Sequence, residues 1–352
     1  VVGPNAVGKT SILEALSLLT QLKSFRSTRS TELVQNSFSQ ASVAAELEKP
    51  TASRVLISME ETRKRLEIDG KTVTSKARYP LIGGSVTFSP DDLSLVKSGP
   101  EARRDFLNEL CVSLNPSFAL VLKKYDKILR QRNLLLKMLK ERKAPLDSLV
   151  PWTEGLIESA VPIYRERADT VEILNESLGA IYRNLFGVNE FVRTQYEHRL
   201  ESSPQGLNAQ EIERLLVDKL NRYAEAEIAS GYSLVGPHKD DMGFFIQNME
   251  ARTYGSQGQI RGLVIALKVA QLELTKKFRT FTPILLLDDI ISELDDARVQ
   301  ALVTYLSNYP GQLFVTTAEI SKVKALHSQF QGFKVIDLAE KTTDSPHLEA
   351  CP

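Results

Sequence analysis

VVGPNAVGKTS, Val1 to Ser11, opens the chain, and its reading decides the fold. Gly3, Gly8, Lys9 and Thr10 match G-x-x-x-x-G-K-[ST], and the apolar residues Ile12, Leu13, Ala15 and Leu16 follow at once. The two glycines let the backbone curl with its N–H groups inward, and the next helix adds its unpaired first-turn amides. Gly3, Pro4, Asn5, Ala6, Val7, Gly8, Lys9, Thr10 and Ser11 are therefore expected to wrap the phosphates of ATP. Lys9 would reach the β- and γ-phosphates and Thr10 would ligate Mg²⁺. Only Val1 and Val2 precede the loop, so further strand residues are expected upstream of this chain.

The composition bounds what surrounds this loop. With 352 residues, 42% hydrophobic and 25% charged, the chain has the make-up of a globular protein with a sizeable core. Cys111 and Cys351 are too few for a disulfide framework or a cysteine-based zinc site, and the four histidines form no HExxH pair. Such cysteine usage suits a reducing cytoplasm. No apolar run approaches the ~20 residues of a membrane helix, so no membrane role is expected. The formal net charge is +0, so a polyanion must be met by a local basic patch.

From Ser42 to Phe88 the text reads as strands, with Asp69-Gly70 as a hairpin turn. From about Arg103 to Ile228 it reads as long helices, broken near Pro145 and Pro151 and around Ser202 to Gly206. Past Gly231 the alternation resumes, with Met242 to Ile246 as a strand, Gln259 to Phe278 as a helix and Ile284 to Asp288 as a buried strand. We read residues 1–102 and 231–340 as two parts of one α/β head, 103–230 as an inserted helical arm, and 341–352 as a polar tail.

The strand PILLLDD carries the second chemical signal. Its apolar run ends in Asp288 and Asp289, the pattern of a Walker B strand. Asp288 would hold the metal with Thr10, and Asp289 would polarise the attacking water or take its proton, so Lys9, Asp288 and Asp289 are the catalytic candidates. The third signal is YGSQGQIRG, Tyr254 to Gly262, at the start of the helix before that strand. A serine hydroxyl and free amides at a helix N-terminus can form a second anion site or a simple N-cap. Placed with the other two motifs, Ser256, Gly258 and Gln259 resemble the signature of the ABC-type ATPases.

GPNAVGKTSILEAL, TFSPDDLSLVKSGPEARRDFLNEL, GPHKDD, YGSQGQIRGLVIALKVAQLEL and LLLDDIISELD follow in this order over nearly the whole chain. This series resembles the RecF family, whose members are similar to SMC heads with a shorter helical arm. The resemblance implies an ABC-type P-loop ATPase head that binds ATP and Mg²⁺, dimerises on ATP as a DNA clamp, and hydrolyses ATP slowly. It also implies double-stranded and gapped single-stranded DNA as ligands, with RecR and RecO as partners and RecA loaded downstream. SELD, with Ser292 and Asp295, takes the place of the D-loop that meets the partner subunit's site. A helix running back along the strand that follows it puts its N-terminus at that strand's carboxyl edge. Ser256 and Lys9 are then expected on one molecular face, and the resemblance implies that they meet across a homodimer.

An ABC importer subunit and a non-hydrolysing ATP scaffold are the alternative functions. Against the importer stands LFVTT, which ends in Thr317 where transporters carry a switch histidine. Asp289 stands where many ABC enzymes use Glu, and its shorter reach fits slow hydrolysis.

Between Lys123 and Lys143 nine basic residues face Asp126 and Glu141, a local balance of +7. On a helix Val121, Tyr125, Ile128, Leu135 and Leu139 form one stripe, and Lys123, Lys127, Arg130 and Lys137 lie opposite as DNA-contact candidates. Arg132 falls on the apolar stripe, where a bare charge is costly, so a carboxylate partner or a structural hydrogen bond is expected there rather than DNA. Arg103 and Arg104 are open to DNA or to pairing with Glu101 and Asp105. Ser24-Phe25-Arg26 could reach phosphate or close the first helix, and His238 lacks the neighbours of a metal ligand.

Overall fold

The computed structural model describes residues 1–26, 30–35, 37–47, 53–60, 63–73, 84–279, 281–318 and 334–338; the tail 341–352, with Cys351, lies outside them. The chain divides into two compact units, Val1–Leu93 with Thr275–Pro352, and Ser94–Leu274.

In the first unit α1 (Lys9–Gln21) leaves the glycine loop directly, with Gly8 as a left-handed N-cap (φ 101°). Leu13, Ser17, Leu18 and Leu19 are buried along it, and Leu22 closes it with an N–H bond to the Leu18 carbonyl. Ser24 folds back onto this helix through Glu14, so the serine of the SFR stretch closes α1. β1 (Gln40–Leu47), β2 (Ser53–Glu60), β3 (Arg63–Ile68) and β4 (Lys71–Thr72) form an antiparallel sheet in that order. Alternate residues share one face of a strand, so Val55, Ile57 and Met59, with Leu66, cover Leu18 and Leu19. Burying each such side chain contributes about 1.5–3 kcal/mol. Asp69 and Gly70 make the expected two-residue turn, with φ of 50° and 74°. Both angles are positive, as the turn that matches strand twist requires. β5 (Ser85–Phe88) completes this part.

The second unit begins with α2 (Pro100–Leu114), α3 (Phe118–Lys140) and α4 (Val150–Phe186). Pro145 falls in the connection between α3 and α4, as expected. Pro151 sits in the first turn of α4, where its missing N–H costs nothing, at the far end of the same break. A correction is β6 (Val192–Glu197), a strand where long helices were expected. In VRTQYE the buried residues Val192, Thr194 and Tyr196 alternate with outward ones. With only Val and Tyr apolar, that period was too faint to read. α5 (Ala209–Ser230) starts at a capping box of Asn208 and Glu211. β7 (Asp241–Ile246) lies between β6 and β8 (Met249–Glu250) in an antiparallel sheet. α6 (Ala251–Tyr254) and α7 (Gln257–Phe278) follow.

The chain returns to the first unit with β9 (Ile284–Asp288), α8 (Ile290–Glu293), α9 (Asp296–Leu306) and β10 (Leu313–Thr316). β10, β9 and β5 form a parallel sheet in that order. Val2 adds parallel bridges to Thr317 and to Asp337. Its N–H donates to the Ile336 carbonyl at 2.8 Å, and its carbonyl accepts from Leu338 at 2.9 Å. Gly3 therefore leaves the sheet at the carboxyl edge where Asp288 and Thr316 also end, the edge at which open parallel sheets bind ligands.

Candidate nucleotide site

The site in the first unit is built from the ends of three parallel chain segments. In the glycine loop Gly3 (φ 151°), Ala6 (φ 66°) and Gly8 (φ 101°) all take positive φ, which curls the backbone tightly. Pro4, Asn5 and Ala6 are exposed, and Val7 and Gly8 are half-buried. Lys9 is only 7% exposed, and its ammonium donates to the Gly3 carbonyl at 2.8 Å and the Pro4 carbonyl at 2.9 Å. Gly8 offers no side chain to the first-turn amides of α1, and that turn carries no acidic residue. A buried cation beside uncapped amides attracts an anion.

Across from the loop, Thr10 Oγ1 donates to Asp288 Oδ1 at 2.9 Å, joining two motifs 278 positions apart. Thr316 Oγ1 donates to the same oxygen at 2.8 Å, and Asp288 is 6% exposed. Asp289 follows in the left-handed region (φ 48°), its N–H donating to the Thr316 carbonyl and to Thr316 Oγ1 at 3.2 and 3.0 Å. Ser292 Oγ donates to Asp289 Oδ1 at 2.7 Å. Asp295 caps α9 by accepting from the Arg298 N–H at 3.1 Å. A threonine hydroxyl on one carboxylate, with a second carboxylate adjoining, fits a magnesium ion that takes its other ligands from phosphates and water. Sequence reasoning misses Thr316 as a partner of Asp288. Its signal is the hydroxyl standing at the end of a strand next to β9.

Ser256, Gly258 and Gln259 belong to the second unit, at the start of α7. Ser256 is exposed, and Gly258 and Gln259 are half-buried. The Ser256 N–H donates to Gln259 Oε1 at 3.0 Å, and the Gln259 N–H donates to Ser256 Oγ at 3.2 Å. This is a reciprocal capping box. Within this chain the N-cap reading of the motif holds.

On α3 the basic residues Lys123, Lys127, Arg130 and Lys137 are all exposed, while Tyr125 and Leu139 of the opposite stripe are buried. Arg132 has both kinds of partner that were open to it: its guanidinium donates to the carboxylate of Glu227 (Oε2) at 2.7 Å and to Ser233 Oγ at 2.7 Å, with both charged side chains at 3% exposure or less. Arg103 requires a correction. It is 4% exposed and pairs with Asp241 through two bonds of 2.7 and 2.6 Å, so it is neither on a DNA surface nor paired with its helix neighbours. Arg104 donates to the Asp240 carbonyl at 2.8 Å. Sequence proximity suggested Glu101 and Asp105; folding chose GPHKDD instead.

That hexapeptide lies in a buried polar knot. Asp240 accepts from Tyr196 Oη at 2.5 Å and from the Arg199 N–H at 3.2 Å, and Arg167 lies 3.7 Å away. Burial pushes the Asp240 carboxyl up to about 6. His238 Nδ1 lies 2.6 Å from Tyr125 Oη and Nε2 lies 3.2 Å from the Ser233 carbonyl. Burial pushes its imidazole down to about 4. A neutral ring with its proton on Nε2 satisfies both contacts.

Comparison with known proteins shows the family to which the chain belongs. Residues 1–339 match the family model described as RecF/RecN/SMC N terminal domain. The chain is 34% identical over 326 residues to the DNA replication and repair protein RecF of Natranaerobius thermophilus, covering 90% of this chain and 84% of that protein. It is 30% identical over 346 residues to RecF of Bacillus cereus, covering 98% and 91%. Among solved structures it is similar to the recombination mediator protein RecF-ATP of the RecFOR pathway. That match has a TM-score of 0.82 at 29% identity and covers 90% of this chain and 85% of that one. No helix among the described residues is long and apolar enough to cross a membrane.

Proposed function

Because this chain belongs to the RecF family of DNA replication and repair proteins, with the ABC-type α/β ATPase head and helical arm of the RecF/RecN/SMC group, we propose that it is an ATP-gated DNA clamp of recombinational repair and replication restart. The observation that carries this reading is the closure of the carboxyl edge, where Lys9 folds into the glycine loop and Thr10 bonds Asp288. When bound, magnesium-ATP supplies an electrophilic γ-phosphorus. Lys9 and the first-turn amides of α1 offset the phosphate charge. Thr10 and Asp288 hold the metal, while Thr316 keeps the Asp288 carboxylate in place. Asp289 orients the attacking water through the oxygen that Ser292 leaves uncommitted. An aspartate reaches less far than a glutamate, which supports slow hydrolysis.

Ser256, Gly258 and Gln259 cap the γ-phosphate bound by a partner subunit, and Ser292 and Asp295 approach that partner's site. Two such composite sites close a homodimer on double-stranded DNA, including the duplex beside a single-stranded gap. Lys123, Lys127, Arg130 and Lys137 meet the phosphates, and hydrolysis resets the clamp. The likeness to a RecFOR-pathway mediator supports RecR and RecO as partners in the cytoplasm, with RecA loading downstream.

Sedimentation with ATP tests the reading. Lys9→Ala removes the phosphate charge balance and should remain monomeric. Asp289→Asn keeps size and polarity, so it should bind ATP and prolong the dimer. A Lys9→Ala protein that dimerises normally, or an Asp289→Asn protein that binds ATP yet stays monomeric, would refute it.

A further inference from the structure

The capping box at Ser256 uses only one end of the Gln259 side chain. Its other end, Nε2, donates to Glu190 Oε1 at 2.7 Å, and Glu190 Oε2 accepts from Tyr182 Oη at 2.9 Å. Tyr182 lies near the end of α4, stacked edge-on against Phe186 with ring centroids 5.2 Å apart. One turn further along α7, Gly262 faces the same two rings. A Cβ there would stand 3.3 Å from Phe186 Cε2 and 3.4 Å from Tyr182 Cε2. The start of α7 is thus held twice, by the rings at the end of α4 packed at Gly262 and by Glu190, in the segment after α4, which links Gln259 to Tyr182 through hydrogen bonds.

An amide side chain has one accepting and one donating end, and their order must be set by its neighbours. Here the Ser256 N–H requires the oxygen of Gln259, and the Glu190 carboxylate requires the nitrogen. If Glu190 is removed, nothing in that pair of contacts opposes a flip that turns Nε2 toward the Ser256 N–H and opens the capping box. Resting on the reading that Ser256 and Gln259 meet a partner's nucleotide, we propose that Glu190 is a positioning residue for this turn. It fixes the Gln259 amide, thereby holding the Ser256 amide and hydroxyl in register, and it ties their placement to the arm helix α4.

The test combines variants of the full chain with three readouts: binding of mant-ATP to the subunit, ATP-driven dimerisation by sedimentation, and kcat for phosphate release. Glu190→Ala should lower dimerisation and kcat about tenfold, as the loss of a hydrogen bond to a charged group does, while mant-ATP affinity stays at the wild-type value. Glu190→Gln should restore both, because its oxygen accepts from Gln259 and its amide donates to Tyr182 Oη. Tyr182→Phe removes one of the two bonds and should show a smaller loss in the same direction. It also carries the test if urea unfolding shows that Glu190→Ala does not fold.

Ser256→Arg is run in parallel. If it abolishes dimerisation while Glu190→Ala and Tyr182→Phe behave as wild type, the positioning role is overturned and the nucleotide reading stands. A Glu190→Gln protein as impaired as Glu190→Ala also overturns the role. If Ser256→Arg changes nothing, the nucleotide reading fails and takes this proposal with it.

Discussion

Replacing Arg132 by Met would strand a buried carboxylate. In the wild type Glu227 is 1% exposed, and it accepts from the Arg132 guanidinium at 2.7 Å and from the N–H groups of Leu234 and Val235 at 2.7 and 3.2 Å. Met fills much of the arginine volume but leaves the charge with two backbone donors. Breaking a buried pair in this way costs about 3–5 kcal/mol. With m near ~2 kcal/mol per molar urea, the midpoint should fall by about 2 M. Trp152, the single tryptophan, lies in the first turn of α4 beside Thr153, which accepts from Arg132 Nε at 3.2 Å, so its fluorescence follows the affected packing.

A second variant separates stranded charge from lost volume. Adding Glu227→Gln should recover a large part of the deficit, since the amide oxygen still accepts from the backbone while no charge is buried. A deficit below about 1 kcal/mol, or one that Glu227→Gln leaves unchanged, would refute the assignment, because breaking a buried charge pair predicts neither.

Replacing Lys123, Lys127, Arg130 and Lys137 together by Ala should weaken duplex binding for all sequences alike and lower the salt slope by about 3.6, or 0.9 for each phosphate no longer neutralised. An unchanged slope would move the DNA surface elsewhere. The folded pKa of His238, about 4, lies below its ordinary 6.5, so its contribution to stability is present above 6.5 and lost as pH falls toward 4. Between pH 7 and pH 5 the wild type should lose about 2 kcal/mol that a His238→Gln variant keeps, and parallel pH curves from urea unfolding would dismiss this. Mixing Lys9→Ala with Ser256→Arg subunits should restore part of the ATPase activity each lacks, since one composite site then keeps both groups. Heterodimers that form without activity would require a 9–256 crosslink to distinguish sites within one chain from a need for two intact sites.

What the sequence by itself determined is local. The glycine loop, the helix leaving it and the strand ending in two aspartates were legible because each depends on fixed spacing within about a dozen residues, as do the Asp69-Gly70 turn and the basic face of α3. Arg132 could be assigned a polar partner in advance, a carboxylate or a structural hydrogen bond, because its place on an apolar stripe makes one obligatory. That it took a carboxylate, and that this is Glu227, 95 positions away, was decided by the packing of α3 against α5. The same holds for Arg103, which passed over its helix neighbours for Asp241, and for Thr316, brought beside Asp288 by parallel strand register. Short-range order follows from dihedral preference and side-chain period. The choice among distant polar partners follows only from which surfaces the buried apolar faces bring together, because water would otherwise satisfy each group equally well.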